Sequence, residues 1–177
     1  MKNFNSEKWL GLRGMRRALL LGAVVAVALV PQVLAQDAVQ WVNPYIGTGE
    51  GKIGYGGTMP FVTPPFGMTN WTAQTRQNRL SVVSYKYEDT KIQGFMGTHQ
   101  PAIWMGDYGY VTVIPQVGAL ATTPEARQMS FSHEDEVTRP DYYKVEMTAK
   151  DGTRVKAEMT ATERCAYMRF HFPQGTA

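Results

Sequence analysis

The strongest constraint on the fold is a period of two in the C-terminal third of the chain. Residues 142–148 alternate, with Tyr143, Val145 and Met147 on one face. Residues 153–160 alternate again, with Val155, Ala157 and Met159 on one face and Arg154, Lys156 and Glu158 on the other. Side chains of a strand point to opposite sides in turn, so this spacing gives a strand one apolar face and one polar face. Lys150-Asp151-Gly152 supplies the turn between the two runs. Residues 165–172 form a third predicted strand, and the three make an antiparallel meander with one face toward a core.

The rest of the chain points the same way. Residues 109–115 read as a strand ended by Pro115, and residues 80–87 as another, followed by a turn at Glu88–Asp89 and a short run at 91–95. Pro124 to Met129 allows a turn or two of helix, and no segment has the period of a long amphipathic helix. The expected fold is therefore all-β, an antiparallel β-sandwich in one domain. Between Asn43 and Trp71, prolines at 44, 60, 64 and 65 and six glycines from Gly47 to Gly57 predict loops lying over a sheet.

The first 35 residues belong to targeting. Lys2, Lys8, Arg13, Arg16 and Arg17 precede thirteen apolar residues, Ala18 to Val30, and Val33-Leu34-Ala35 follows. This is the layout of a cleaved secretory signal, and the apolar run falls short of the roughly 20 residues that span a bilayer. The leader holds five of the 18 basic residues and one of the 15 acidic, so residues 36–177 carry 13 against 14, a net charge of −1. The overall basicity thus gives no footprint for nucleic acid. A secreted or periplasmic protein is expected, without stable membrane insertion after cleavage. A lone cysteine, Cys165, allows no internal disulfide and reads as a buried structural thiol in a strand.

Candidate chemistry gathers in Gly94-Phe-Met-Gly-Thr-His-Gln-Pro-Ala-Ile-Trp-Met-Gly-Asp-Tyr-Gly109. Its glycines imply tight turns or close approach of another group. His99, Gln100 and Asp107 offer hydrogen-bond donors and acceptors, and Trp104, with Trp71, offers a flat apolar face. That combination suits a sugar, whose ring presents C–H groups and whose rim presents hydroxyls. The alternative is a half-buried connection in which the tryptophans belong to the core and Asp107 caps a turn. Other chemistry finds little support. His99, His133 and His171 lie 34 and 38 residues apart without zinc spacing. The glycine-rich run at 47–57 lacks the Gly-Lys-Ser/Thr ending of a phosphate loop. His133-Glu134-Asp135-Glu136 reads as a charged, solvent-exposed turn. Glycosidases use two opposed carboxyl groups, and no convincing pair stands out.

Several separated motifs give the chain a resemblance. Val42-Asn-Pro-Tyr-Ile-Gly-Thr48, Thr63-Pro-Pro-Phe-Gly-Met68, Gly94-Phe-Met-Gly-Thr-His-Gln100, Gly106-Asp-Tyr-Gly109 and Ala161-Thr-Glu-Arg164 occur in the order found in glycoside hydrolase family 92. The resemblance covers nearly all of the chain after its leader. It implies an exo-acting α-mannosidase of the calcium-dependent kind, in which an N-terminal β-sandwich precedes a larger helical barrel domain. The acid, the base and the main calcium ligands are implied to lie on that second domain, so no catalytic or metal-binding residue is assigned here. Residues 36–177 are then the sandwich domain, with the helical domain absent, and a truncated chain is the expectation. The resemblance places His99, Gln100, Asp107, Trp104 and Arg76 at the mannose pocket. Where many members carry Ser-His-Thr-His, this chain has Gly97-Thr-His-Gln100, and the tryptophan usual before Leu80 has no counterpart, which leaves linkage preference open.

Three functional readings follow: the pocket-contributing domain of a mannosidase acting on mannose-containing glycans, a non-catalytic carbohydrate-binding module, or a structural interaction domain. The targeting reading has its own test. Mass measurement of exported protein is expected to give Gln36 as the N-terminus; a membrane-bound product retaining Met1 would contradict it.

Overall fold

The computed structural model describes residues 38–51, 54–55, 57–77, 79, 82–99 and 110–175. The leader, residues 1–35, lies outside the described residues. Two compact units divide the chain at Trp41. Of the first unit, residues 38–39 are helical and 40–41 form a turn, in which the Trp41 amide donates to the Ala38 carbonyl. No helix among the described residues is long and apolar enough to cross a membrane.

Among the described residues, the regular structure of the second unit is almost all antiparallel sheet. A small ribbon pairs β1 (Glu50–Gly51) with β2 (Gly54–Tyr55). One sheet has three strands in the order β3 (Asn70–Gln74), β5 (Gly94–Thr98), β6 (Val111–Val113). The other has five, in the order β10 (Ala166–His171), β9 (Arg154–Ala161), β8 (Tyr142–Thr148), β7 (Met129–Arg139), β4 (Lys91–Ile92). One turn of helix, α1 (Pro124–Arg127), precedes β7. Thr123 caps it by accepting the Ala126 amide, and Pro124 needs no amide partner in the first turn. The sheets meet through β5: the Phe95 ring lies 6.0 Å from Tyr143 on β8 and 6.0 Å from Phe170 on β10. Tyr143, Val145, Met147, Val155, Ala157 and Met159 fill the core from the five-stranded side, as their alternation predicts. Burial of each large apolar side chain contributes about 1.5–3 kcal/mol.

Four expectations fail, each for a physical reason. Residues 133–136 are not an exposed turn but part of β7, and the Glu136 side chain is fully buried. On β7, Met129, Phe131 and His133 face inward; Glu134 and Asp135 are then both exposed, and Glu136 faces inward again. Phe131 pairs with Met147 and Glu136 with Val145, so residues 132–135 stand opposite the single residue Glu146. This bulge shifts the phase of the strand and turns a carboxylate into the core. Second, Val83 to Lys86 are buried without joining a sheet, because the Ser84 carbonyl accepts the Thr75 and Arg76 amides in a tight return. Third, β3 falls where no strand is predicted; Thr72, Ala73 and Gln74 are buried in succession, two of them polar, which erases the alternation. Fourth, Cys165 is exposed, in the turn between β9 and β10.

The buried Glu136 is compensated by four neighbours. Tyr143 and Tyr45 hydroxyls donate to it at 2.5 and 2.9 Å, and the Tyr85 hydroxyl sits 3.2 and 3.3 Å from its two oxygens. His133 Nδ1 lies 2.6 Å from Oε2, while its Nε2 approaches the Tyr87 carbonyl and its ring stacks on Tyr87 at 4.0 Å. A carbonyl only accepts, so Nε2 carries a proton, and one further proton is shared between Nδ1 and the carboxyl group. Burial first, and then Glu136, raise the ionisation of Tyr45, Tyr85 and Tyr143 well above the ordinary tyrosine value, so all three stay donors. Glu136→Ala leaves these donors buried without an acceptor. It is expected to cost about 3–5 kcal/mol in chemical denaturation, and Glu136→Gln clearly less; equal, small losses in both variants would contradict the hub.

Candidate functional site

The site predicted from the sequence centres on His99, and the sandwich fixes where that residue stands. Strand β5 pairs with β3 so that Thr98 faces Asn70. His99 therefore emerges beside Met68 and Thr69. On the other side Gly97 faces Val111 of β6, so the connection from β5 to β6 leaves from this same end. Gln100, Trp104 and Asp107 fall in that connection and lie outside the described residues.

The loop before β3 is held at both flanks. The Thr63 amide donates to the Pro140 carbonyl in the β7–β8 turn. The Met68 and Thr69 amides, at 2.7 and 3.3 Å, share the Glu163 carbonyl in the β9–β10 turn. Between these anchors the chain turns so tightly that Phe66 adopts φ 63° and leaves its ring wholly exposed. Gly67 has no room for a side chain, since an added Cβ would lie 2.4 Å from Thr63 Oγ1 and 3.1 Å from the Pro64 carbonyl. A non-glycine residue in left-handed conformation costs of order 1–3 kcal/mol and persists where its surroundings hold it.

His99 is attached to this loop. Its Nδ1 lies 3.0 Å from the Met68 carbonyl and 3.5 Å from Thr69 Oγ1. The carbonyl accepts, so Nδ1 carries the proton, and in the neutral ring the exposed Nε2 is left as an acceptor. Beneath it, the Trp71 ring lies across Gly97 on the neighbouring strand; a Cβ at Gly97 would meet Trp71 Cζ3 at 2.7 Å. The close approach foreseen for this glycine is thus a cross-strand aromatic ring, within a strand. Trp71 packs on the core, and its buried Nε1 has no hydrogen-bond partner among the described residues.

Arg76 stands elsewhere. It follows the far end of β3, where Gln74 faces Gly94, so the length of the β3–β5 pair separates it from His99. Its guanidinium binds Asp89 through Nε at 2.7 Å and Nη2 at 2.9 Å, and Thr75 Oγ1 donates to the same carboxylate. The described residues thus do not bring Arg76 and His99 together. Nor do they gather three His, Cys, Asp or Glu side chains that could hold a metal ion. Sequence reasoning missed the polar cluster of Tyr45, Tyr85, His133 and Glu136, and read Tyr143 only as a core residue of its alternating strand. The signal for Glu136 is the two-residue alternation from Met129 to His133, which resumes one step out of phase.

Fold and site together define an antiparallel β-sandwich domain whose loops converge on one end. Residues 41–177 match the glycosyl hydrolase family 92 N-terminal domain. The chain belongs to glycosyl hydrolase family 92. A family GH92 inverting mannosidase from Bacteroides thetaiotaomicron shares the fold with a TM-score of 0.69 and 34% identity, over 78% of this chain and 18% of that one. A GH92 α-mannosidase of the same organism, solved with mannoimidazole, gives 0.62 and 32%, over 76% and 18%. An uncharacterized secreted glycosidase of Arthroderma benhamiae is 26% identical over 159 residues, which is 84% of this chain and 20% of that protein. The chain spans about a fifth of the length of these relatives.

Gly97→Ala is expected to push the Trp71 ring off β5 and destabilise the domain by about 1–3 kcal/mol. Chemical denaturation checks this, and a stability equal to the parent would show that the ring has freedom to yield.

Proposed function

We propose that this chain is the part of an exported, exo-acting α-mannosidase that completes the mannose pocket with the loops around His99. The observation that carries the reading is the His99 side chain, held through Nδ1 by the Met68 carbonyl at the exposed end of a family 92 sandwich. In this reading Nε2 accepts a hydroxyl proton of the terminal mannose, and Gln100, Trp104 and Asp107, in the connection that begins beside it, add polar contacts and an aromatic face. Arg76, paired with Asp89, fixes the Thr75–Asp89 return at the far end of β3.

The acid and base come from sequence beyond this chain. Glu136, the buried carboxyl group in the core, already takes three tyrosine hydroxyls and an imidazole, which leaves it no room to move a proton to substrate. Inversion needs a carboxyl pair about 6.5–9.5 Å apart with a water between sugar and base. Calcium belongs to the reaction in the same way: the described residues do not fit it, and its ligands are assigned to the helical domain that follows the sandwich. Residues 36–177 alone are accordingly expected to bind mannosides without turning them over. The relative from Arthroderma benhamiae, described as secreted, supports export.

His99→Ala in the complete enzyme tests the reading. Loss of a hydrogen bond to a reacting sugar is expected to lower kcat/KM on an aryl α-mannoside by about tenfold or more. The melting temperature is expected to stay within about 2 °C. An activity within about twofold of the parent would remove His99 from the pocket. Glycan binding by the complete protein without turnover would instead favour a binding module.

A further inference from the structure

The outer face of the five-stranded sheet carries a groove of about 290 Å³ lined by Tyr142, Glu158, Thr160, Tyr167 and Arg169. We propose that this groove binds a pyranose ring, a second sugar of the glycan whose terminal residue reaches His99. The proposal rests on the mannosidase reading for the identity of the glycan, but not for the groove itself.

The register of the strands builds the slot. Tyr167 on β10 pairs with Thr160 on β9. Tyr143 pairs with Met159, which sets Tyr142 beside Thr160 from the other side. Two aromatic side chains thus flank one small residue, two strand spacings or roughly 10 Å apart at the backbone. Tyr167 is 64% exposed, so its ring is open to a ligand. An aromatic face provides the apolar contact that the C–H side of a sugar needs, and groups at the margin provide direction.

Those marginal groups are of both kinds. Glu158 is the acceptor. Its Oε1 takes the Tyr142 hydroxyl at 2.7 Å, and Oε2 takes His171 Nε2 at 2.6 Å and Lys156 Nζ at 3.4 Å. The Tyr142 hydroxyl and then His171 hold its ionisation down at about 2, so at neutral pH it only accepts. Thr160 donates its own hydroxyl hydrogen to the Asp141 carbonyl, which leaves the oxygen lone pairs outward. Arg169, the cross-strand partner of Glu158, is exposed and has no carboxylate within salt-bridge distance among the described residues. Its charge acts on the neighbouring Tyr142 hydroxyl, and among the described residues no hydrogen bond occupies its guanidinium donors. Hydroxyl groups, which both donate and accept, match this mixture better than an anion, which Glu158 would repel.

The groove also lies at the useful end of the molecule. Thr160 and Tyr167 border the β9–β10 turn, whose Glu163 carbonyl holds Met68 and Thr69, and Met68 in turn holds His99. The β9–β10 turn thus joins the strands that carry the groove to the loop that holds His99.

Titration of the full chain with methyl α-mannopyranoside and, in parallel, methyl α-glucopyranoside, followed by amide NMR, tests the proposal. Saturable shifts at Glu158, Thr160, Tyr167 and Arg169 are expected. Tyr167→Ala and Arg169→Ala should each weaken them by about tenfold, while His99→Ala leaves them unchanged. Both substitutions are at exposed positions, and an unchanged thermal melt confirms folding. Binding of the glucoside alone at these residues would support the groove while sinking the mannoside reading. Absence of shifts there with both sugars, or shifts undiminished in Tyr167→Ala, would overturn the groove, whatever happens at His99.

Discussion

A carboxylate in an apolar interior costs several kcal/mol unless its lone pairs are filled. Glu136 is filled by residues from widely separated parts of the chain: Tyr45 from the N-terminal loops, Tyr85 from the irregular segment after β3, Tyr143 from β8 and His133 from its own strand. Tyr45 and Tyr85 bring in two segments that have little regular pairing of their own. Glu136 joins both to β7, alongside the backbone bonds that tie Ser84 to Thr75 and Arg76 and Tyr87 to Thr48. Tyr87 extends the arrangement by stacking on His133 and meeting Tyr45 edge-on at 5.1 Å. The polar hub thus does for the irregular half of the chain what the sheet hydrogen bonds do for the other half.

A second set of anchors holds the loop-bearing end of the sandwich. The site loops are suspended from the turns of the five-stranded sheet, Thr63 from Pro140 and Met68 with Thr69 from Glu163. The strain at Phe66 and the packing of Gly67 persist because those turns join long strands that are paired right up to the turns. His99 is oriented by the last link of this series, a carbonyl in place of a flexible side chain. The sandwich in this sense is a frame that presents loops.

The meander from Tyr142 to His171 was legible because each strand buries one face and wets the other, and the sequence writes that contrast directly. Strand β5 was not, since all five of its residues are buried and two are glycines chosen by neighbouring side chains, Thr112 and Trp71. Nor was β7. Its bulge changes the phase within a run of charged residues, and local composition there says surface while the fold says core. His99 was legible as a polar residue at a glycine-rich end; its tie to Met68 spans 31 positions and comes only from the β3–β5 register. The hub was the least legible feature, because tyrosines at 45, 85 and 143 share no pattern until three segments are folded onto Glu136.

Neutral tyrosine hydroxyls hold the buried Glu136 side chain at the heart of the sandwich. Raised folded-state ionisation means that their contribution is whole below pH about 10, the unfolded value, and is lost as pH rises beyond it. The most direct measurement is an ultraviolet titration of the nine tyrosines alongside circular dichroism. The account expects Tyr45, Tyr85 and Tyr143 to remain un-ionised until the sheet signal collapses, so that the last phenolate absorbance appears together with unfolding. Ionisation of all nine near pH 10 with the sheet intact would contradict it.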